Sequence, residues 1–229
     1  MHKQVLVLLH GALANQKQFE AVKPMLSEHY NIYSFDFSGH TLGGVEHDFT
    51  IDLFKSDLLK FLEGHGLEQV NIFGYSMGGY VALKAALEQP KRFKKIVTLA
   101  TKFDWNEESA AKEVRMLNPE KIEEKVPKYA SHLKSMYGEE NWKRVVLQTG
   151  QMMMTLAQGD RLTEDDLAQI KIPCTIGVGD QDAMVSLEES EWAVQQLVNS
   201  TLVVLPSIEH PLNKMASNDL VSYIRQGLG

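Results

Sequence analysis

One serine in this chain sits where an activated hydroxyl is easily built. Ser76 lies in Gly74-Tyr75-Ser76-Met77-Gly78-Gly79-Tyr80. The apolar run Gln69–Phe73 before it reads as a buried strand, and Val81–Glu88 after it reads as a helix. The serine is therefore expected on a tight strand-to-helix turn with a glycine two residues to either side, the G-x-S-x-G arrangement. Side chains at Gly74 and Gly78 would strike the neighbouring strand and helix. A hydroxyl at that point faces unpaired helix N–H groups and the positive end of the helix dipole.

A serine hydroxyl is a weak nucleophile until a base takes its proton. Histidine suits that task, and an acid must hold the ring in the right tautomer. His210 follows the late apolar run Thr201–Leu205, and the run Ile172–Val178 ends in Gly179-Asp180-Gln181-Asp182. The order serine, acid, histidine makes Ser76 the nucleophile, His210 the base and then the acid, and Asp182 the orienting carboxylate, with Asp180 and more distantly Asp104 as competitors. His10 reads as a support for its own loop. His40 and His47-Asp48 have no partners at metal-ligand spacing, so no metal and no cofactor are expected.

These groups need a scaffold, and the chain alternates strand and helix. Strands are expected at Gln4–His10, Asn31–Phe37, Gln69–Phe73, Phe93–Ala100, Ile172–Val178 and Thr201–Leu205. Helices are expected at Gln18–Glu28, Ile51–Gly64, Val81–Glu88, Leu187–Val198 and Pro211–Gln226. That alternation implies right-handed crossovers, a parallel sheet and chemistry at the carboxyl ends of the strands. His10, Asp36, Ser76 and Thr101 all fall at such ends. Residues 102–167 break the pattern with three helical stretches, Glu107–Met116, Pro119–Tyr137 and Glu139–Leu156, and no strand. The expected organisation is an α/β core of 1–101 and 168–229 with a helical cap of 102–167. Met152, Met153 and Leu156 in the third stretch are candidates for an adaptable apolar substrate lining.

With His10-Gly11-Ala12-Leu13, Asp36 with Gly39-His40, Gly74 to Gly79, Gly179 to Asp182 and His210 all in order, the chain resembles the α/β-hydrolase fold family over essentially its whole length. Family members often begin with two extra antiparallel strands; here the first strand already carries the His-Gly motif, so a six-stranded, mostly parallel sheet with helices on both faces is expected. The resemblance favours Asp182 over Asp180 through the pattern Gly-x-x-Asp. It also implies an oxyanion hole from the N–H groups of Ala12 and Met77. Two departures stand out: Gly39-His40-Thr41 replaces the usual Gly-His-Gly, and Glu209 rather than glycine precedes the histidine.

The serine argues against the dehalogenases and epoxide hydrolases of this fold, which use aspartate at the turn. The resemblance implies acyl transfer to water: a carboxylesterase or thioesterase taking a small to medium apolar acyl group. A lyase of the menaquinone-pathway type, whose elbow is similar, and a carbon–carbon bond hydrolase are the alternatives, the lyase expected to place arginines in its pocket, for which the cap offers Arg115, Arg144 and Arg161. A ligand receptor retaining the triad is the non-enzyme reading.

Composition agrees. The 229 residues carry a formal charge of −7 without charge runs, which makes nucleic acid an unexpected partner. A single cysteine, Cys174, excludes an internal disulfide and reads as a buried structural thiol. The N-terminal run Val5–Leu9 is too short for a membrane span. The expectation is a cytoplasmic protein with a small-molecule ester or thioester substrate, its oligomeric state left open.

Overall fold

The computed structural model describes residues 3–44 and 46–229. Its strands are β1 (Gln4–Leu9), β2 (Tyr30–Ser34), β3 (Val70–Tyr75), β4 (Phe93–Leu99), β5 (Cys174–Gly179) and β6 (Ser200–Leu205). Its helices are α1 (Lys23–Ser27), α2 (Ile51–Gly64), α3 (Met77–Glu88), α4 (Glu107–Val114), α5 (Pro119–Lys125), α6 (Pro127–Tyr137), α7 (Asn141–Thr155), α8 (Glu164–Gln169), α9 (Leu187–Gln196) and α10 (Ser217–Leu228). The strands form one six-stranded sheet in the order β2-β1-β3-β4-β5-β6, and every neighbouring pair is parallel.

Alternation along the strands feeds two cores. Val7, Leu9, Ile72 and Ile96 pack with Phe54 and Leu58 of α2 and Val81 and Leu83 of α3. Leu6, Leu8, Phe73, Val97 and Leu99 point the other way, onto Leu26 of α1 and Leu220, Tyr223, Ile224 and Leu228 of α10. A parallel sheet covered on both faces is what uninterrupted apolar strands require.

Between β4 and β5 the chain makes α4 to α8 and no strand. Trp142, Tyr137, Leu133 and Val145 of this segment are buried in the same core as the α2–α3 face. Its last helix, α8, runs two residues past the expected boundary at 167.

Local chemistry explains where elements differ from expectation. The first helical stretch breaks into a 3₁₀ turn, Gln16–Phe19, and the short α1, which starts one residue before Pro24 because proline tolerates only a helix's first turn. The stretch Pro119–Tyr137 splits at Val126, whose φ of −134° leaves the helix just before Pro127. The run after His210 is a 3₁₀ turn at Leu212–Lys214 before α10. Cys174 is buried, and burial pushes its thiol up to about 12.

Candidate active site

Ser76 occupies the turn between β3 and α3 with φ 49° and ψ −115°. A non-glycine residue reaches that conformation only where its surroundings force it. Here they do. The Ser76 N–H donates to the Leu99 carbonyl at 2.8 Å, and its carbonyl accepts from Gly79 N–H and from the Thr101 hydroxyl at 3.0 Å. A Cβ on Gly74 would lie 2.5 Å from the Gly79 backbone, and one on Gly78 would lie 2.3 Å from the Leu9 carbonyl oxygen. Strand and helix can thus meet at this angle only over glycines.

His210 follows β6 and is half-buried. Its Nδ1 lies 2.8 Å and 3.1 Å from the two Asp182 carboxylate oxygens. Asp182 is itself fixed in the turn after β5, where Oδ1 accepts the Met184 and Val185 N–H groups, each at 2.8 Å. Its side chain is 1% exposed. Asp180 instead accepts the Ser207 N–H at 2.6 Å, and Asp104, exposed after β4, accepts from the Asn106 side-chain amide. Glu209 is exposed and pairs with Lys214.

Ser76 and His210 open onto one cavity of about 1690 Å³, whose wall also includes Ala12, Met77, Met152, Met153 and Leu156. Met152, Met153 and Leu156 are buried in the core as well, whereas Met154 does not line the cavity and is half-buried against that core. No Ser76–His210 hydrogen bond is formed among the described residues; such bonds are often long without substrate. Nor does any protein acceptor pair with the N–H of Ala12 or Met77 among them. Met77 heads α3, so its free N–H is one of the helix's unpaired first donors.

The loop bearing Ala12 is braced on several sides. The neutral His10 ring, hydrogen-bonded to the Gly11 carbonyl at 2.8 Å, accepts the Phe37 N–H at 3.1 Å through Nε2. Burial holds its pKa down at about 4. Asp36, two residues beyond β2, which ends at Ser34 rather than at the expected Phe37, accepts the Gln16 N–H at 2.7 Å, and the Tyr137 hydroxyl reaches over from α6 to the Ala14 carbonyl at 2.8 Å. His40 is fully buried, stacked on Phe49 with ring centroids 4.9 Å apart.

Two supports were not legible in the chain. The Tyr75 hydroxyl donates to the His210 carbonyl, tying the nucleophile turn to the histidine loop. Gly11 makes room for that ring, since a Cβ there would lie 2.7 Å from it. The second is a buried ion pair, Lys102 with Glu189, at 3.4 Å. Lys102 Nζ also donates to the Met184 carbonyl, while Glu189 accepts the Phe103 and Ser186 N–H groups. It staples the loop after β4 to the turn that carries Asp182. Arg115, Arg144 and Arg161 do not line the cavity; Arg161 is spent on the Trp105 and Ala157 carbonyls. No helix among the described residues is long and apolar enough to cross a membrane.

This architecture has known counterparts. Residues 4–119 match the model of the alpha/beta hydrolase fold family, and the chain belongs to that family. It is 23% identical to the pimeloyl-[acyl-carrier protein] methyl ester esterase of Aliivibrio fischeri, over 96% of this chain and 91% of that protein. It is 32% identical to the uncharacterized hydrolase YugF of Bacillus subtilis over 43% of this chain, a match spanning 37% of that protein. Among solved structures it superposes on the 2-hydroxy-6-oxo-6-phenylhexa-2,4-dienoate hydrolase of Rhodococcus sp. strain RHA1 with a TM-score of 0.80, at 20% identity, over 99% of this chain and 90% of that one. The chain spans about a third of the length of several of the curated relatives it matches.

Proposed function

We propose that this chain is a serine hydrolase that cleaves a carboxylic ester or thioester of an apolar acyl group through an acyl-enzyme. The observation that carries the reading is His210, held at 2.8 Å by the buried Asp182 and lying in the wall of the same cavity into which the strained Ser76 opens. As the substrate carbonyl is attacked, the Ser76 hydroxyl bonds to the carbonyl carbon and its proton passes to His210. The imidazolium is held by Asp182. The negative charge gathering on the carbonyl oxygen is received by the N–H groups of Ala12 and Met77, a pair whose single members are worth roughly 3–4 kcal/mol in comparable sites. His210 then gives its proton to the departing alkoxide or thiolate. Water repeats the sequence on the acyl-Ser76 ester, releasing the acid and restoring the serine.

Residues 102–167 act as the cap, with Met152, Met153 and Leu156 forming an apolar wall for the acyl chain. The name of the A. fischeri relative, a methyl ester esterase, supports an ester as the bond broken. The absence of Arg115, Arg144 and Arg161 from the cavity wall weighs against the lyase alternative. Reaction with a fluorophosphonate probe tests the assignment: one phosphonyl group, with loss of fluoride, is expected on Ser76 and none on Ser76→Ala. Labelling at another residue, or none in folded protein, would overturn it.

A further inference from the structure

Lys102 is the only lysine or arginine that is buried among the described residues, and its partner Glu189 is buried as well. Replacing a buried ion pair by packed apolar side chains is often neutral or stabilising, so fold stability gives no reason for this one. Its contacts do. Lys102 Nζ donates to the Met184 carbonyl at 3.0 Å, and the Met184 N–H donates to Asp182 Oδ1 at 2.8 Å. The ammonium and the orienting carboxylate thus grip the two ends of one residue. Glu189 secures the rest of that turn by accepting the Ser186 N–H, and it holds the chain beyond Lys102 by accepting the Phe103 N–H at 2.9 Å. The residues just before Lys102 fix the nucleophile. The Leu99 carbonyl accepts the Ser76 N–H at 2.8 Å, and the Thr101 hydroxyl donates to the Ser76 carbonyl at 3.0 Å. Between them Ala100 has φ 56°, and its N–H donates to the Gly177 carbonyl of β5 at 2.9 Å. A non-glycine residue stays in that region only where its surroundings hold it. The four residues 99–102 therefore tie Ser76 on one side and the Asp182 turn on the other.

Resting on the acyl-hydrolase reading above, we propose that Lys102 is a positioning residue: by holding Met184 it sets Asp182, and through Asp182 the His210 imidazole, in register with Ser76. Glu189 keeps the ammonium at the Met184 carbonyl. Lys102 and Met184 both stand in the cavity wall, but in this role the ammonium acts through Met184 and not on the substrate. A misplacement of about 1 Å in a reacting constellation costs on the order of 100-fold in rate, so loosening this one turn is enough to be read in turnover.

The test separates positioning from stability with Lys102→Met alone and combined with Glu189→Gln. The double variant leaves no buried charge unpaired, and its glutamine oxygen can still accept the Phe103 N–H, so its urea midpoint should return towards that of wild type. Its kcat on p-nitrophenyl butyrate should nevertheless stay at least tenfold below wild type, with KM within about threefold, because nothing donates to the Met184 carbonyl. Recovery of kcat along with the midpoint overturns the proposal, since a purely structural pair would recover both. A raised KM with unchanged kcat also overturns it, by making Lys102 a substrate contact. Proton NMR reads the same register without turnover. The His210 Nδ1 proton bonded to Asp182 gives a strongly downfield resonance, assigned by its loss in His210→Ala. It should move upfield or broaden in the double variant; a resonance unchanged from wild type overturns the proposal. If wild type hydrolyses no ester, the acyl-hydrolase reading fails on its own, and that resonance decides the role of Lys102.

Discussion

Ser76 owes its position to what its neighbours lack. Gly78 has room for hydrogen alone, since a Cβ would stand 2.3 Å from the Leu9 carbonyl oxygen and 2.8 Å from that of His10. Those are backbone atoms of the strand that leads into the Ala12 loop, and they cannot step aside without moving it. Gly78→Ala should cost about 3 kcal/mol, the upper part of the range for overpacking, and also lower activity. Gly64→Ala is the control: it ends α2, and nothing lies within 4 Å of its added Cβ. That variant should be neutral or gain about 0.5 kcal/mol, because alanine favours helix over glycine. Urea unfolding of the two variants separates a steric requirement from simple glycine content; equal stabilities would contradict it.

At the scale of elements, the site depends on loops that are tied to one another. The Lys102–Glu189 pair joins the segment after β4 to the Asp182 turn and to the start of α9, and both side chains are almost wholly buried. Glu189→Ala would leave a buried ammonium without its carboxylate and open three backbone donors, those of Phe103, Asp104 and Ser186, with an expected loss of about 3–5 kcal/mol. Lys102→Met added to it should recover part of that loss. Denaturant titration of the single and double variants reads the difference; additive losses would argue against coupling. None of this was legible beforehand. Lys102 and Glu189 are 87 positions apart, and each looks like an ordinary surface charge in the chain. Ser76, Asp182 and His210 could be picked out as candidates because each follows a strand with local signals, glycines and short turns, that do not depend on tertiary context. The strand order was not legible in detail, but alternation of apolar strands with helices left little besides a parallel sheet. Helix ends were misjudged where proline sits inside a periodic run, at Pro24 and Pro127: periodicity reports which face is buried, whereas the missing N–H decides where the helix can continue.

At the scale of the whole molecule, two imidazoles are buried among the described residues, those of His10 and His40. Burial lowers His10 to about 4, opposed by its bond to the Gly11 carbonyl. Burial, and then the nearness of His10, lowers His40 to about 3. Above the ordinary histidine value of 6.5 both are neutral folded or unfolded, and they leave stability unchanged. As pH falls below 6.5, the unfolded chain takes up protons that the folded one refuses. Stability is therefore lost progressively from pH 6.5 towards pH 4, by up to about 3 kcal/mol for His10 alone. Urea midpoints should drop over that window, and His40→Phe, which keeps a ring against Phe49, should flatten part of the slope. A midpoint constant from pH 7 to 4.5 would mean that these rings are not held neutral.

The central claim is that Ser76 is the nucleophile of an acyl hydrolase, and turnover tests it most directly. The measurement is hydrolysis of p-nitrophenyl esters from acetate to laurate by wild type and by Ser76→Ala, with circular dichroism to verify that the variant is folded. The account predicts multiple turnovers by wild type, an optimum chain length set by the cavity, and loss of activity by at least a thousandfold in Ser76→Ala. Activity that survives in the folded variant would contradict it.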